Sequence, residues 1–245
     1  MNYKKFLSGS LLLTTFFLLS AENNIKWINK NYDFGYIREE DGVSKGTFRF
    51  INKGKKPIEI KDVKVSCGCT ETFFTKGLIL KGDTAQINVS YDPEERPGKF
   101  KKGIYVFFKD ENMPVHLGIE GVVIASPETL ELFYPYCYEN LCFDTMVADF
   151  GEMPQGLRRR EFIDIYNSGS SPIKPIFQSD SDLIRVDFQP EEIRPGDKAT
   201  LTIYLDSSAV MWTGNREYKI DINIDNRKIG EITAKATILP STSQL

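Results

Sequence analysis

Two stretches decide how this chain folds: Gly82-Asp83-Thr84-Ala85-Gln86-Ile87-Asn88-Val89-Ser90-Tyr91-Asp92 and Gly196-Asp197-Lys198-Ala199-Thr200-Leu201-Thr202-Ile203-Tyr204-Leu205-Asp206. In each, a Gly-Asp pair opens a run in which every second residue is apolar. A period of two turns one face to a core and the other to water, as in an antiparallel sheet. The stretches lie 114 positions apart. Other landmarks repeat with them. Phe34-Gly35 returns as Phe150-Gly151 at offset 116, Asn52-Lys53-Gly54 as Asn167-Ser168-Gly169 at 115, and Gly98 as Gly214 at 116. A repeat of this length exceeds the solenoid range and equals the size of one sandwich domain.

The segments between the landmarks are also β in character. Tyr218, Ile220, Ile222 and Ile224 alternate with polar residues, and Phe48 and Phe50 fit a strand ending at Asn52. Pro57, Pro97, Pro172 and Pro195 punctuate loops. No segment carries a long apolar stripe of period 3.6. The expectation is an all-β chain of two tandem immunoglobulin-like β-sandwich domains. The first spans 25–125, a connector 126–141, the second domain 142–239, and a polar tail 240–245. Leu130 to Tyr138 is too apolar for a free linker, so it is expected to pack between the domains and fix them relative to each other.

Residues 1–21 read as a secretory signal peptide. Lys4 and Lys5 give a positive start, Phe6 to Leu19 an apolar run too short to span a bilayer comfortably, and Ser20-Ala21 a small-residue cleavage site. The alternative is an uncleaved signal anchor. No cysteine sits at the boundary to carry a lipid. The 245-residue chain is 41% hydrophobic and 27% charged, which is a globular composition. Its net charge is -3. Losing Lys4 and Lys5 from the 31 basic residues leaves 29 against 34 acidic, or -5. That balance gives no reason to expect nucleic acid, and no polybasic stretch suggests an anionic membrane surface. Arg158-Arg159-Arg160 reads as the solvated start of a strand.

At this point the residues resemble a family. Tyr32-Asp33-Phe34-Gly35-Tyr36-Ile37, Phe48-Arg49-Phe50-Ile51-Asn52, Val65-Ser66-Cys67-Gly68-Cys69-Thr70, Lys81-Gly82-Asp83 and Val89-Ser90-Tyr91-Asp92 look like the DUF1573 family. These are exported proteins common in Bacteroidota, similar in fold to the ASH and major-sperm-protein-like immunoglobulin-like sandwiches. The resemblance covers most of 28–124 and implies fold and export but no reaction. In the second repeat the region aligned with the Cys-Gly-Cys reads Ser181-Asp182-Leu183-Ile184, so any cysteine function belongs to the first.

The four cysteines are Cys67, Cys69, Cys137 and Cys142. In an oxidising compartment an even count points to disulfides, and three pairings are possible. Cys137 with Cys142 closes a small loop. Cys67 with Cys69 closes a tight ring, for which Gly68 makes the backbone reachable. The Cys-Gly-Cys has three readings: a structural turn, a redox dithiol, or a soft-metal site for copper or zinc at Cys67 and Cys69, with Cys137 and Cys142 adding two more sulfurs. His116, the single histidine, lies near Met113 in a later strand and reads as an ordinary strand residue.

Asp92/Glu94/Glu95 and Glu191/Glu192 sit in Pro-containing loops and read as solvated turn carboxylates. Asp83-Thr84-Ala85 and Asp144-Thr145-Met146 resemble short Asp-Thr-aliphatic O-glycosylation acceptors, which makes Thr84 and Thr145 candidates. No catalytic residue and no cofactor are expected. The reading is a non-enzymatic binding or scaffold protein of the periplasm or cell envelope. Its expected partners are other envelope proteins, with no nucleic acid and no membrane insertion after leader cleavage. The rival is a thiol-redox or soft-metal protein using Cys67 and Cys69.

Overall fold

The computed structural model describes residues 25–210 and 212–241. The expected leader at 1–21 and residues 242–245 of the expected tail lie outside them. The alternating runs form strands as their period requires. β1 (Ile25–Trp27), β2 (Asn31–Arg38), β3 (Ser44–Asn52), β4 (Ile60–Val65), β5 (Thr70–Phe74), β6 (Thr84–Tyr91), β7 (Gly98–Phe108) and β8 (Val115–Ile124) make two four-stranded sheets, ordered β1-β3-β6-β5 and β2-β8-β7-β4. Their apolar faces close over Phe48, Phe50, Ile87, Val89, Ile104 and Ile119, all but sealed from water.

After a short helix α1 (Pro127–Phe133), the chain continues as β9 (Tyr136–Tyr138), β10 (Leu141–Phe143), β11 (Val147–Pro154), β12 (Arg158–Asn167), β13 (Ile176–Ser179), β14 (Ile184–Gln189), β15 (Lys198–Asp206), β16 (Gly214–Ile224) and β17 (Arg227–Leu239). These form a five-stranded sheet, β14-β15-β12-β10-β9, and a four-stranded sheet, β11-β17-β16-β13. Ile163, Ile165, Leu201, Ile203, Ile220 and Ile222 fill a second core, distinct from the first.

The repeated landmarks are the positions where the backbone is constrained. Asp33-Phe34-Gly35 and Asp149-Phe150-Gly151 are bulges where β2 and β11 shift register against their parallel partners β8 and β17. In each, the glycine stands at positive φ (65° and 61°) and its N–H donates to the aspartate carboxylate two residues earlier (2.8 and 2.9 Å). Few residues other than glycine adopt that conformation without strain. Asn52 and Asn167 are fully buried and tie two loops together. Nδ2 of Asn52 donates to Lys56 O and Ile79 O (both 2.9 Å), while Oδ1 accepts from Gly54 N–H (2.9 Å). Asn167 repeats all three bonds with Ser171, Ile193 and Gly169 (each 2.8 Å).

The registers place Asn52, Gly82 and the incoming Ile25 at one end of the first sandwich. Cys69, Asp92 and Gly98 lie at the other. The second sandwich abuts this latter end through its own Asn167–Gly196 end, head to tail. Tyr166 Oη accepts from Ala125 N–H (2.9 Å) and donates to Val123 O (3.3 Å). Lys99 pairs with Asp197 (2.6 Å). A Cβ on Gly196 would meet Val122 and Ile124 at 2.7 and 2.8 Å, so the close approach requires glycine.

The 126–141 connector differs from its expected form. Ser126 caps α1 by accepting from Thr129 N–H (3.1 Å), and Pro127 takes the first helical turn, where its missing N–H costs nothing. Tyr136–Tyr138 and Leu141 are already paired into the second sandwich's sheet, so that sheet begins before residue 142. Of the apolar stretch, only Tyr134 is buried, stacked on Tyr166 (ring centres 5.4 Å apart). Leu132, Phe133 and Tyr136 are exposed. The docking of the connector therefore rests on the Tyr134 ring, with half-buried Leu130 beside it, and not on a continuous apolar seam. No helix among the described residues is long and apolar enough to cross a membrane.

Candidate functional site

The Cys-Gly-Cys turn joins β4 to β5 at the junction end. Ser66 N–H donates to Gly103 O (3.0 Å), and Gly103 N–H returns a bond to Ser66 Oγ (3.1 Å). Cys69 O accepts from Asp92 N–H (2.9 Å). Between these anchors Cys67 and Cys69 form a disulfide with their Cα atoms 5.4 Å apart. Cys69 is buried and Cys67 half-buried, and both pack on the first core. Thr70 Oγ1 lies 3.4 Å from Cys67 Sγ and 3.8 Å from Cys69 Sγ, close enough to share a proton with a reduced sulfur. The structure does not need Gly68 for this ring: its φ is not positive, and a Cβ there would meet nothing within 4 Å.

The second pair, Cys137 and Cys142, bridges facing positions of β9 and β10. Each cysteine is thus satisfied within its own turn, and the four sulfurs are not gathered into one set. Two oxidised pairs are the condition typical of exported proteins. His116 stands apart from the Cys67–Cys69 bond. Its ring packs tilted against Tyr105 (ring centres 5.1 Å apart) with its Nε2 over Gly103, on the outer face of its sheet. Cys67 continues the inward parity of Val63 and Val65, so the imidazole and the sulfurs lie on opposite faces.

One buried structural carboxylate is not legible in the sequence. Glu39, in a 3-10 turn after β2, is buried. Its Oε1 accepts from Glu95 N–H (2.6 Å) and Thr129 Oγ1–H (2.6 Å), and its Oε2 from Ser126 N–H (2.8 Å). It therefore clamps the start of α1 and the Asp92–Arg96 loop to the first sandwich. Its partners lie 56 to 90 positions away, so no local pattern announced it; the Ser126-Pro127 helix start was the one usable signal. Glu40, Asp92, Glu94 and Glu128 line a shallow recess beside it. Among the described residues, no group of three His, Cys, Asp or Glu is placed to hold a metal ion.

The remaining candidates fall as follows. Glu191 lies beside a groove near β13, and Glu192 pairs with Lys174. Thr84 is exposed at the start of β6. Thr145 Oγ1 accepts from Val147 N–H (3.1 Å) in a local turn. Arg159, inside the basic triplet, donates to Phe150 O and Glu152 O (2.9 and 2.7 Å), so it braces the β11 bulge while its neighbours face solvent.

Fold and cysteines together define an all-β, disulfide-bonded sandwich protein. Residues 25–123, the first sandwich, match the model of the family described as "Protein of unknown function (DUF1573)". A search of curated proteins returned no match. Among solved structures, a protein of unknown function from Porphyromonas gingivalis W83 aligns at 15% identity over 87% of this chain and 99% of its own, with a TM-score of 0.36. The ASH/PapD-like domain 7 of human CEP192 aligns at 12% identity, over 50% of this chain and 99% of its own, TM-score 0.37. WR4, a Caenorhabditis elegans member of the MSP family, aligns at 13% identity, over 41% and 98%, TM-score 0.29.

Proposed function

We propose that this chain is an exported, non-enzymatic binding protein of the cell envelope that takes up a segment of another envelope protein along an open sheet edge. One observation carries this reading. β13 is an edge strand, hydrogen-bonded to β16 on one side and unpaired on the other. Beside it lies a groove of about 400 Å³ whose apolar wall is Ile176, Phe177, Val186 and Phe188, with Ile176 55% exposed. An added strand gains main-chain hydrogen bonds from such an edge, and its alternate side chains fill the groove. A photo-crosslinking residue at position 176 in intact cells tests it. The reading expects a discrete adduct that is absent when the same probe stands at exposed Ser208. Equal labelling from both positions, or none from either, would defeat it.

A second reading, thiol–disulfide exchange at Cys67–Cys69, is favoured by the half-exposure of Cys67 in a bond spanning one residue. Counting free thiols and bound metal in native envelope extract separates the two. Four oxidised cysteines without metal support the binding reading. A readily reduced Cys67–Cys69 pair, or stoichiometric copper or zinc, supports the second.

A further inference from the structure

We propose that the end of the first sandwich remote from the junction is a docking surface for an anionic phospholipid membrane. The surface is independent of the β13 edge and stands or falls without it. Two loops build it, 53–59 between β3 and β4 and 75–83 between β5 and β6. Asn52 laces them together by the bonds given above, and Ile58 and Ile79 exchange backbone hydrogen bonds (3.0 and 2.8 Å). The lacing gathers Lys53, Lys55, Lys56, Lys76 and Lys81, all exposed. Among the described residues none of the five forms an ion pair; Lys76 lies over the Phe74 ring (3.6 Å). Between them stand Leu78 and Leu80, 67% and 53% exposed, on either side of buried Ile79. Asp83 is the acidic residue of the two loops' tips, and its carboxylate accepts from Leu80 N–H (2.9 Å). Glu59 is paired with Lys109, and Asp110 and Glu111 lie on the neighbouring β7–β8 hairpin together with exposed Met113.

The second sandwich supplies an internal control. It builds the same two loops on Asn167 with the same bonds and the same facing isoleucines, Ile173 and Ile193 (2.9 Å). There Lys53, Lys55 and Lys56 are replaced by Ser168, Ser170 and Ser171, and Leu78 and Leu80 by Glu192 and Arg194. The turn therefore folds without lysines or leucines. Their presence at the free end answers to something outside the fold.

The occupant follows from chemistry and position. Clustered lysines around protruding leucines match a surface of anionic headgroups over acyl chains. Ile25 lies across from Asn52, so the chain preceding it, with the apolar run Phe6–Leu19, joins the fold at this same end. The lysines and leucines thus stand at the end where the described chain begins.

Co-sedimentation of the exported, processed chain with vesicles tests this. Vesicles of phosphatidylcholine alone are compared with equimolar phosphatidylcholine and phosphatidylglycerol, at low salt and at about 0.15 M salt. The proposal expects binding to the mixed vesicles, weakened by salt. Each lysine near the surface contributes roughly fivefold, so Lys53→Ser/Lys55→Ser/Lys56→Ser should lower partitioning about 100-fold. Leu78→Glu/Leu80→Arg keeps the loop's net charge and should lower it about tenfold through lost apolar contact. Both replacements install residues that the Asn167 turn already carries, and an unchanged thermal melt confirms the fold. No sedimentation, equal sedimentation with both vesicles, or indifference to both replacements would overturn the proposal.

Discussion

Replacing Asn52 with alanine should cost the first sandwich about 2 kcal/mol. The side chain is fully buried and satisfies three backbone groups, Gly54 N–H, Lys56 O and Ile79 O. Alanine leaves the buried Gly54 N–H without a partner, at about 1–3 kcal/mol, while Ile79 O keeps its bond from Ile58 N–H and half-open Lys56 O turns to water at lower cost. No packed volume is gained in return. The chain carries its own reporters, because its two tryptophans fall one to each half. Trp27 packs against Phe50 (4.7 Å) in the first core, and Trp212 borders the second. Urea unfolding followed by fluorescence, in Trp27→Phe and Trp212→Phe backgrounds, reads each sandwich separately. Asn52→Ala should lower the midpoint reported by Trp27, and Asn167→Ala that reported by Trp212, by similar amounts. A loss under about 1 kcal/mol in both variants would refute the reasoning, since a buried amide with three partners cannot be that cheap to remove.

Three further predictions follow the same logic. The disulfides close loops of three and six residues, so each Cys→Ser pair, Cys67/Cys69 or Cys137/Cys142, should cost only about 2 kcal/mol in urea melts; failure of either variant to fold would contradict this. Glu39→Ala strands Ser126 N–H and Glu95 N–H and should open α1 locally, read as hydrogen exchange at least tenfold faster over Ser126–Phe133 with β3 and β6 unchanged. Burial, with the Asp164 and Asp144 carboxylates adding to it, pushes the Tyr134 hydroxyl up to about 12 from an ordinary 10. The neutral phenol therefore stabilises the fold fully below pH 10, and that contribution is lost as pH rises through about 12. Phenolate absorbance should show a late-titrating tyrosine that Tyr134→Phe removes, and a titration complete near pH 10 would contradict it.

What the sequence disclosed was what the backbone demands locally. Asp33-Phe34-Gly35 and Asp149-Phe150-Gly151 repeat because a register shift requires a left-handed glycine held by the preceding aspartate, a requirement met within three residues. Asn52 and Asn167 repeat because one buried amide satisfies three backbone groups of the loops it laces. What stayed hidden was assembled across distance. Glu39 gains its role from Glu95, Ser126 and Thr129, which the fold alone brings together. The lysine and leucine face is split between 53–56 and 76–81, and the short string Lys53-Gly54-Lys55-Lys56 reads alone as an ordinary charged turn. The Cys-Gly-Cys was the most conspicuous string, yet its chemistry was the least legible: spacing allowed three pairings, and only the fold puts His116 and the sulfurs on opposite faces.

The central claim is that function lies in a sheet edge and not in the cysteines. The measurement that tests it most directly is the yield of adduct from a photo-crosslinker at position 176 in the Cys67→Ser/Cys69→Ser chain, taken in intact cells with the fold verified by its melt. The account predicts the same adduct at the same yield as with both sulfurs present. Loss of that adduct from a folded chain would place the function at Cys67 and Cys69 and contradict the account.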